Sequence, residues 1–420
     1  MASSSPSSSV FDIREHTIQA SHIREYPRAT AVSQDEPLLL HVKQYTPKNG
    51  GPPRKGDITI VGAHANGFPK ARVASSMSRT WAMIVRLSLS VFLTSHLISH
   101  ANWLDYSRDI LHLINTFRMP RPIIAMGHSF GANALTNVAL MHPRLFTGMV
   151  MLDPVIARFT SPKPLPSSPQ TYYGPASLSA TRRDTWPSRA AAAASFRSKP
   201  FYQAWDPRVL DLFIRYGLRE VPSTSNSQQD ESQTPVRLTT TKHQEVFTFV
   251  RPIWPALDPV SKLITHKSRA PDSDLDPETP TQFPFYRSEG NNTVARLPNI
   301  RPPVLYIFGA KSNVSPAHLI REKLEKTGTG VGGSGGAKAG RVKGVTHPES
   351  GHLVPLEEPV FCAKAAAEWT KTEMDKWWEE EKEYEEWAKK PLEEKATVDD
   401  EFMKRLGAPN RKSDKTKANL

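Results

Sequence analysis

The run Gly127-His128-Ser129-Phe130-Gly131 constrains this chain more than any other feature. It follows the apolar, β-branched stretch 123–126 and precedes the apolar-periodic stretch 132–141. A serine therefore stands on a sharp turn between a buried strand and a helix. The flanking glycines leave room for strand and helix to approach closely. The turn strains the serine backbone, and the helix start beside it favours negative charge. A chain that makes this turn needs a strand inside a sheet and a helix to cover it, which points to an α/β architecture.

The remaining pattern agrees. Short apolar runs at 58–62, 148–152 and 304–308 read as buried strands, and 38–45 as a further strand. Helical periodicity marks 104–118, ended by Pro120 and Pro122, and also 316–327 and a long helix from about residue 359. A short strand is expected near 341–346. Strands alternating with helices predict a mostly parallel sheet flanked by helices. Residues 1–36 read as a loosely ordered segment. The core is expected from 37–154 and 300–388, interrupted by an inserted block at 155–299, with a polar tail at 389–420. Proline contributes 37 of the 420 residues, and it clusters largely in the inserted block.

A serine hydroxyl is a weak nucleophile until a base takes its proton. Where the serine sits on such an elbow, its partners follow in the order acid, then histidine. His318, His347 and His352 are the histidines in the late part of the chain. His318 falls within a helix. His352, in Ser350-Gly351-His352-Leu353-Val354-Pro355, lies in a loop before a helix and is the preferred base, with His347 as the alternative. The stretch Gly309-Ala310-Lys311-Ser312-Asn313, one common place for the acid, holds no carboxylate. Asp153, at the end of the 148–152 strand, is then the preferred acid, facing the crevice where α/β sheets place ligands. The alternative is that it only caps the turn before Pro154. Phe130 and the loop Ala63-His64-Ala65-Asn66-Gly67-Phe68 are the candidate backbone donors to an oxyanion, with Asn66 favoured and Gly67 next. His64, Phe68, His128 and Trp205 are candidate substrate contacts. For His64, a hydrogen bond within its own loop is the competing reading. An aspartate at the elbow would have indicated an epoxide hydrolase or dehalogenase, and serine argues against both.

Other signals exclude competing classes. Gly328-Thr329-Gly330-Val331-Gly332-Gly333 follows a helix and not a strand, so it fails the context of a dinucleotide site. Neither a GKS or GKT phosphate loop nor a Cys/His metal set is present, and no cofactor is implied. A single cysteine, Cys362, forms no intrachain disulfide. The net charge of +12 comes from scattered basic residues without a basic helix or stacking motif, so no nucleic-acid partner is expected. The apolar stretch 81–98 is short for a membrane span and is interrupted by Arg86 and His96, so no transmembrane span is expected.

Together these residues resemble the α/β-hydrolase superfamily, and more narrowly the fungal peroxisomal hydrolases that include the AK-toxin biosynthesis hydrolases and the peroxisomal lipase. The resemblance is carried by His64-Ala65-Asn66-Gly67-Phe68-Pro69-Lys70, by Tyr106-Ser107-Arg108-Asp109 within 103–117, by 119–133, by 141–155 and by Gly351-His352-Leu353-Val354. It implies a serine hydrolase with a lid over its site, acting on an ester or thioester of a small-molecule acyl substrate, in fungal toxin or secondary-metabolite biosynthesis. Lid aromatics such as Trp186, Phe196, Tyr202, Trp205, Phe213 and Trp254 suggest an apolar one. It also implies a peroxisomal location, with the cytoplasm as alternative. Ala418-Asn419-Leu420 keeps the small first and final leucine residues read by the peroxisomal import receptor, without the basic middle one. Residues 71–100 depart from the family pattern, which has an Asp/Gln/Gly-rich turn there. A divergent segment there would leave a catalytically impaired interaction protein as the alternative function.

Overall fold

The computed structural model describes residues 10–26, 29–30, 33–35, 37–51, 54–67, 92–93, 102–158, 174–221, 234–261, 263–266, 269 and 285–407. Two antiparallel strands open the chain, β1 (Phe11–Gln19) and β2 (Leu39–Pro47), paired residue for residue from Phe11 with Pro47 to Gln19 with Leu39. They are followed by β3 (Thr59–Ala63) and the two-residue β4 (Phe92–Leu93), which pairs antiparallel with β2. Helix α1 (Trp103–Thr116), β5 (Ile123–His128), α2 (Phe130–Met141) and β6 (Gly148–Leu152) continue the core.

The strand expected at 38–45 is thus present. The segment 1–36, expected to be loosely ordered, instead contributes β1. Its apolar signal is weak because most of its side chains face solvent, with only Phe11 fully buried. The chain between β1 and β2 is tied down by a buried ion pair, Arg24 Nη1 to Asp109 Oδ2 at 2.8 Å, which reaches α1. The 71–100 departure lies outside the described residues except for β4.

Strands β3, β5 and β6 are buried at every position, as continuous apolar runs in a covered parallel sheet must be. With β12 (Val304–Gly309) and β13 (Val342–His347) they form a five-stranded parallel sheet in the order β13-β12-β6-β5-β3. Its core joins Val61, Ile123, Met149 and Tyr306 to the buried faces of α1 and α2.

The inserted block carries α3 (Pro175–Thr181), β7 (Thr185–Trp186), α4 (Arg189–Arg197), α5 (Pro200–Gln203), α6 (Pro207–Tyr216), β8 (Leu218–Glu220), β9 (Val236–Leu238), α7 (Lys242–Phe249), β10 (Arg251–Pro252) and β11 (Phe285–Tyr286). Strands β7, β9 and β8 make a small antiparallel sheet of their own. Helix α8 (Glu289–Arg296) falls before the expected boundary at 300, yet its Val294, with Leu297 and Ile300 beyond it, belongs to the core cluster. The chain re-enters the core there, earlier than its composition indicates.

After β12 come α9 (Ala317–Lys326), α10 (Val354–Glu357), the long α11 (Pro359–Lys389), α12 (Leu392–Ala396) and α13 (Asp400–Arg405). The chain divides into two compact units, residues 1–371 and 372–420. The second unit is charged and helical, with Tyr384 stacked on Trp387 at 5.5 Å. Among the described residues, no helix is long and apolar enough to cross a membrane.

Candidate active site

The loops after β5, β6, β12 and β13, at the carboxyl edge of the central sheet, bring side chains into one cluster. Ser129 follows β5 with φ 57° and ψ −120°, an uncommon conformation for a residue with a side chain. Its N–H donates to Leu152 O, and its carbonyl accepts from Val155 N, so neighbouring backbone holds the strained turn. The glycine on its far side is required. A Cβ on Gly131 would lie 2.3 Å from Ala63 O and 2.7 Å from His64 O, so the first turn of α2 presses directly onto the end of β3.

His352 comes from the loop between β13 and α10. Its Nε2 lies 2.8 Å from Ser129 Oγ, and its Nδ1 lies 2.5 Å from Asp153 Oδ2. A carboxylate oxygen only accepts, so Nδ1 carries the ring proton and Nε2 is left to accept from the hydroxyl. Asp153 stands just past β6 with φ 38° and is fully buried. Beyond its bond to His352, Asp153 Oδ2 accepts a second hydrogen bond, from Ser312 Oγ at 2.6 Å. Ser312 lies in the very loop that lacked a carboxylate in the sequence. Nothing about an isolated loop serine in the sequence signals this contact. Lys323, fully buried on α9, interacts with the Asp153 charge, and burial draws its pKa down to about 8.

His347, the alternative base, sits at the end of β13 with Nδ1 2.8 Å from Ser350 Oγ, a bond within its own loop. His128 is buried beside Ser129, and its Nε2 donates to the His352 carbonyl at 2.9 Å. Burial, helped by the neighbouring His352, lowers its pKa to about 3, so it is neutral. It braces the histidine loop from below, and this backbone bond is what the structure gives for a residue expected to contact substrate.

Phe130 begins α2, where a backbone N–H has no partner inside the helix. Its ring stacks on Tyr106 of α1. Asn66 and Gly67 lie in the loop after β3, and the inserted block grips this loop. Asn66 Nδ2 donates to Glu245 O of α7 at 2.9 Å. Gly67 adopts φ +79°, and a Cβ there would lie 2.8 Å from Glu245 Oε1. Burial raises the Glu245 pKa against the pull of its ion-pair partner Arg182. Glu245 is therefore a structural neighbour of this loop that the sequence did not single out. His64 Nδ1 meets Ala65 O at 2.8 Å, a bond inside its own loop. Phe68 lies outside the described residues.

Trp205 is buried within the inserted block, its ring 4.9 Å from Tyr202 and 5.5 Å from Phe213. Trp186, Phe196 and Phe213 join it in one cluster, while Trp254 is exposed. These aromatics, expected to line an apolar substrate site, pack mainly on one another. The cluster extends to Leu353 and Leu356 beside His352.

A serine hydroxyl, an imidazole and a carboxylate in this chain can pass a proton from the first to the second while the third steadies the resulting charge. The fold that gathers them is that of the α/β hydrolases. The chain belongs to that family, whose sequence model matches residues 79–365. It is similar to the type I acyl-CoA thioesterase mpaH of Penicillium roqueforti, 36% identical over 407 residues, 90% of this chain and 92% of that protein. It is also similar to the abhydrolase domain-containing protein AFT2-1 of Alternaria alternata, 28% identical over 253 residues, 60% of this chain and 84% of that one. Among solved structures, the peroxisomal α/β-hydrolase Lpx1 of Saccharomyces cerevisiae shares the fold with a TM-score of 0.61 and 16% identity, covering 95% of this chain and 96% of that one.

Proposed function

We propose that this chain is a serine hydrolase that cleaves a thioester or carboxylic ester of an acyl substrate, with residues 155–299 acting as the lid over its site. The observation that carries the reading is the relay in which His352 bridges Ser129 Oγ and Asp153 Oδ2. Ser129 Oγ attacks the acyl carbon as its proton passes to His352 Nε2. The N–H groups of Phe130 and of Asn66 or Gly67 receive the developing oxyanion. The tetrahedral intermediate expels a thiolate or alkoxide, which takes the proton from His352. Water, deprotonated by the same nitrogen, then releases the acid and restores the serine. Asp153 keeps Nδ1 protonated and stabilises the imidazolium. The similarity to an acyl-CoA thioesterase over nine-tenths of the chain makes an acyl-CoA the first thioester to test.

The test is turnover of p-nitrophenyl esters and acyl-CoAs across chain lengths, together with labelling by a fluorophosphonate probe. Wild type is expected to label at Ser129 and to turn over, and Ser129→Ala to do neither. Folded wild-type protein that does not label overturns the reading and leaves an interaction protein on a hydrolase fold. For location we propose the peroxisome, on the strength of Ala418-Asn419-Leu420. A fluorescent protein fused ahead of the chain should be punctate, and should become cytosolic when Asn419 and Leu420 are removed. Unchanged puncta would overturn that assignment.

A further inference from the structure

The acid of this relay stands on β6, while its histidine follows β13, and β12 lies between those strands. The carboxylate must therefore reach across the end of an intervening strand. The β12 end is shaped for that. Gly309 has no side chain to obstruct the histidine loop, since a Cβ there would lie 2.1 Å from Gly351 O. Two backbone bonds join the loops on either side, Ala310 N to His347 O and Lys311 N to Ser350 O, both at 2.9 Å. One residue further on, the Ser312 hydroxyl meets the Asp153 oxygen that His352 also holds.

The direction of that contact is fixed by the rest of the loop. Val314 N donates to Ser312 Oγ at 3.2 Å and Ser315 N at 3.3 Å. With its lone pairs turned to those donors, the hydroxyl can only send its proton to Asp153. The Asp153 carboxylate is fully buried, and its Oδ1 has no hydrogen-bond partner among the described residues. The charge and orientation of the acid thus depend on the two bonds to Oδ2.

We propose that Ser312 is a positioning residue for this reaction: its hydroxyl holds Asp153 in line with His352, in the loop position where the sheet could otherwise have carried the acid. The proposal rests on the relay reading above. Ser312 divides the carboxylate's charge between hydroxyl and imidazole and stops the side chain from turning away from the ring. The groups within electrostatic reach of Asp153 are His352, His128 at the end of β5 and Lys323 on α9. His128 and Lys323 hydrogen-bond elsewhere, to His352 O and Leu319 O, which leaves Ser312 as the only hydroxyl on Asp153 among the described residues.

The experiment measures the second-order rate of fluorophosphonate labelling as a function of pH. It compares wild type, Ser129→Ala, Ser312→Ala, Ser312→Thr, Asp153→Asn and Asp153→Asn/Ser312→Ala, with circular dichroism to verify folding. Ser312→Ala is expected to label about tenfold more slowly or worse, the scale of losing a hydrogen bond to a charged group. Its acid limb should move up, because the hydroxyl no longer shares the carboxylate's charge with the imidazolium. Ser312→Thr, which keeps the hydroxyl, should recover the rate, and Ser312→Ala should cost nothing further in the Asp153→Asn background. A Ser312→Ala rate equal to wild type overturns the proposal. So does a slower rate with the limb unmoved and an additive loss in the double variant, the pattern of general structural damage. Labelling that persists in Ser129→Ala overturns the relay reading instead, independently of Ser312.

Discussion

His128 sits next to the proposed nucleophile, but its bond runs to the backbone of the base, and its protonation state is a stability term. The folded chain holds it near a pKa of about 3, against an ordinary value of 6.5. A folded-state pKa that is depressed means that the unfolded chain takes up a proton the folded chain refuses. Stability is therefore full above about pH 6.5 and falls as pH drops toward 3, by up to about 1.4 kcal/mol per unit. Between pH 7 and pH 5 this amounts to about 2 kcal/mol. Urea denaturation at both pH values should show that loss in wild type and much less of it in His128→Gln, which keeps an amide donor for the His352 carbonyl. An equal loss in both would place the acid sensitivity elsewhere. That Ser129, Asp153 and His352 lie together was legible from an elbow motif, a strand end and a late loop, each of which restricts what can stand there. The contacts of His128 and Ser312 were not, because each joins positions more than 150 residues apart in sequence.

At the scale of elements, what matters is how closely loops from different strands can approach. Gly309 lets the histidine loop close over β12, with Gly351 O and Ser350 O at 2.1 and 2.5 Å from where a Cβ would stand. Both atoms are backbone, so Gly309→Ala cannot be absorbed by a side-chain rotation, and the loop carrying His352 must move. A displacement of about 1 Å at a reacting group costs on the order of a hundredfold. Gly309→Ala should therefore label with fluorophosphonate about a hundredfold more slowly while its far-ultraviolet circular dichroism stays that of wild type. A wild-type rate would mean that the loop has room the geometry does not show. Strands β3, β5, β6 and β12 were readable because burial on both faces leaves a continuous apolar run. β1 escaped notice for the opposite reason. Its sequence, Phe-Asp-Ile-Arg-Glu-His-Thr-Ile-Gln, is largely solvent-facing and follows a serine-rich start, and its identity comes from pairing with β2.

At the scale of the first compact unit, two hydrophobic clusters have to cooperate. One lies around the central sheet, and the other fills the inserted block with Trp186, Phe196, Trp205 and Phe213. The second cluster extends to the proposed base: Leu353 and Leu356, immediately after His352, belong to it, and Asp206 N donates to Leu356 O at 2.9 Å. The inserted block, the proposed lid, therefore also holds the histidine loop. Sequence composition showed an aromatic-rich insertion but could not tell a lid that stacks on itself from one that presents its rings to a substrate, since both require the same residues. Trp205 separates these roles. With 3% of its surface exposed and its ring against Tyr202 and Phe213, it belongs to the lid's own core. Trp205→Phe should lower stability by about 1–2 kcal/mol through lost packing, seen as a fall of a few degrees in Tm. Its preference among p-nitrophenyl ester chain lengths should match that of wild type, because the ring packs within the inserted block's own cluster. A shifted chain-length preference at unchanged Tm would instead make Trp205 a substrate contact.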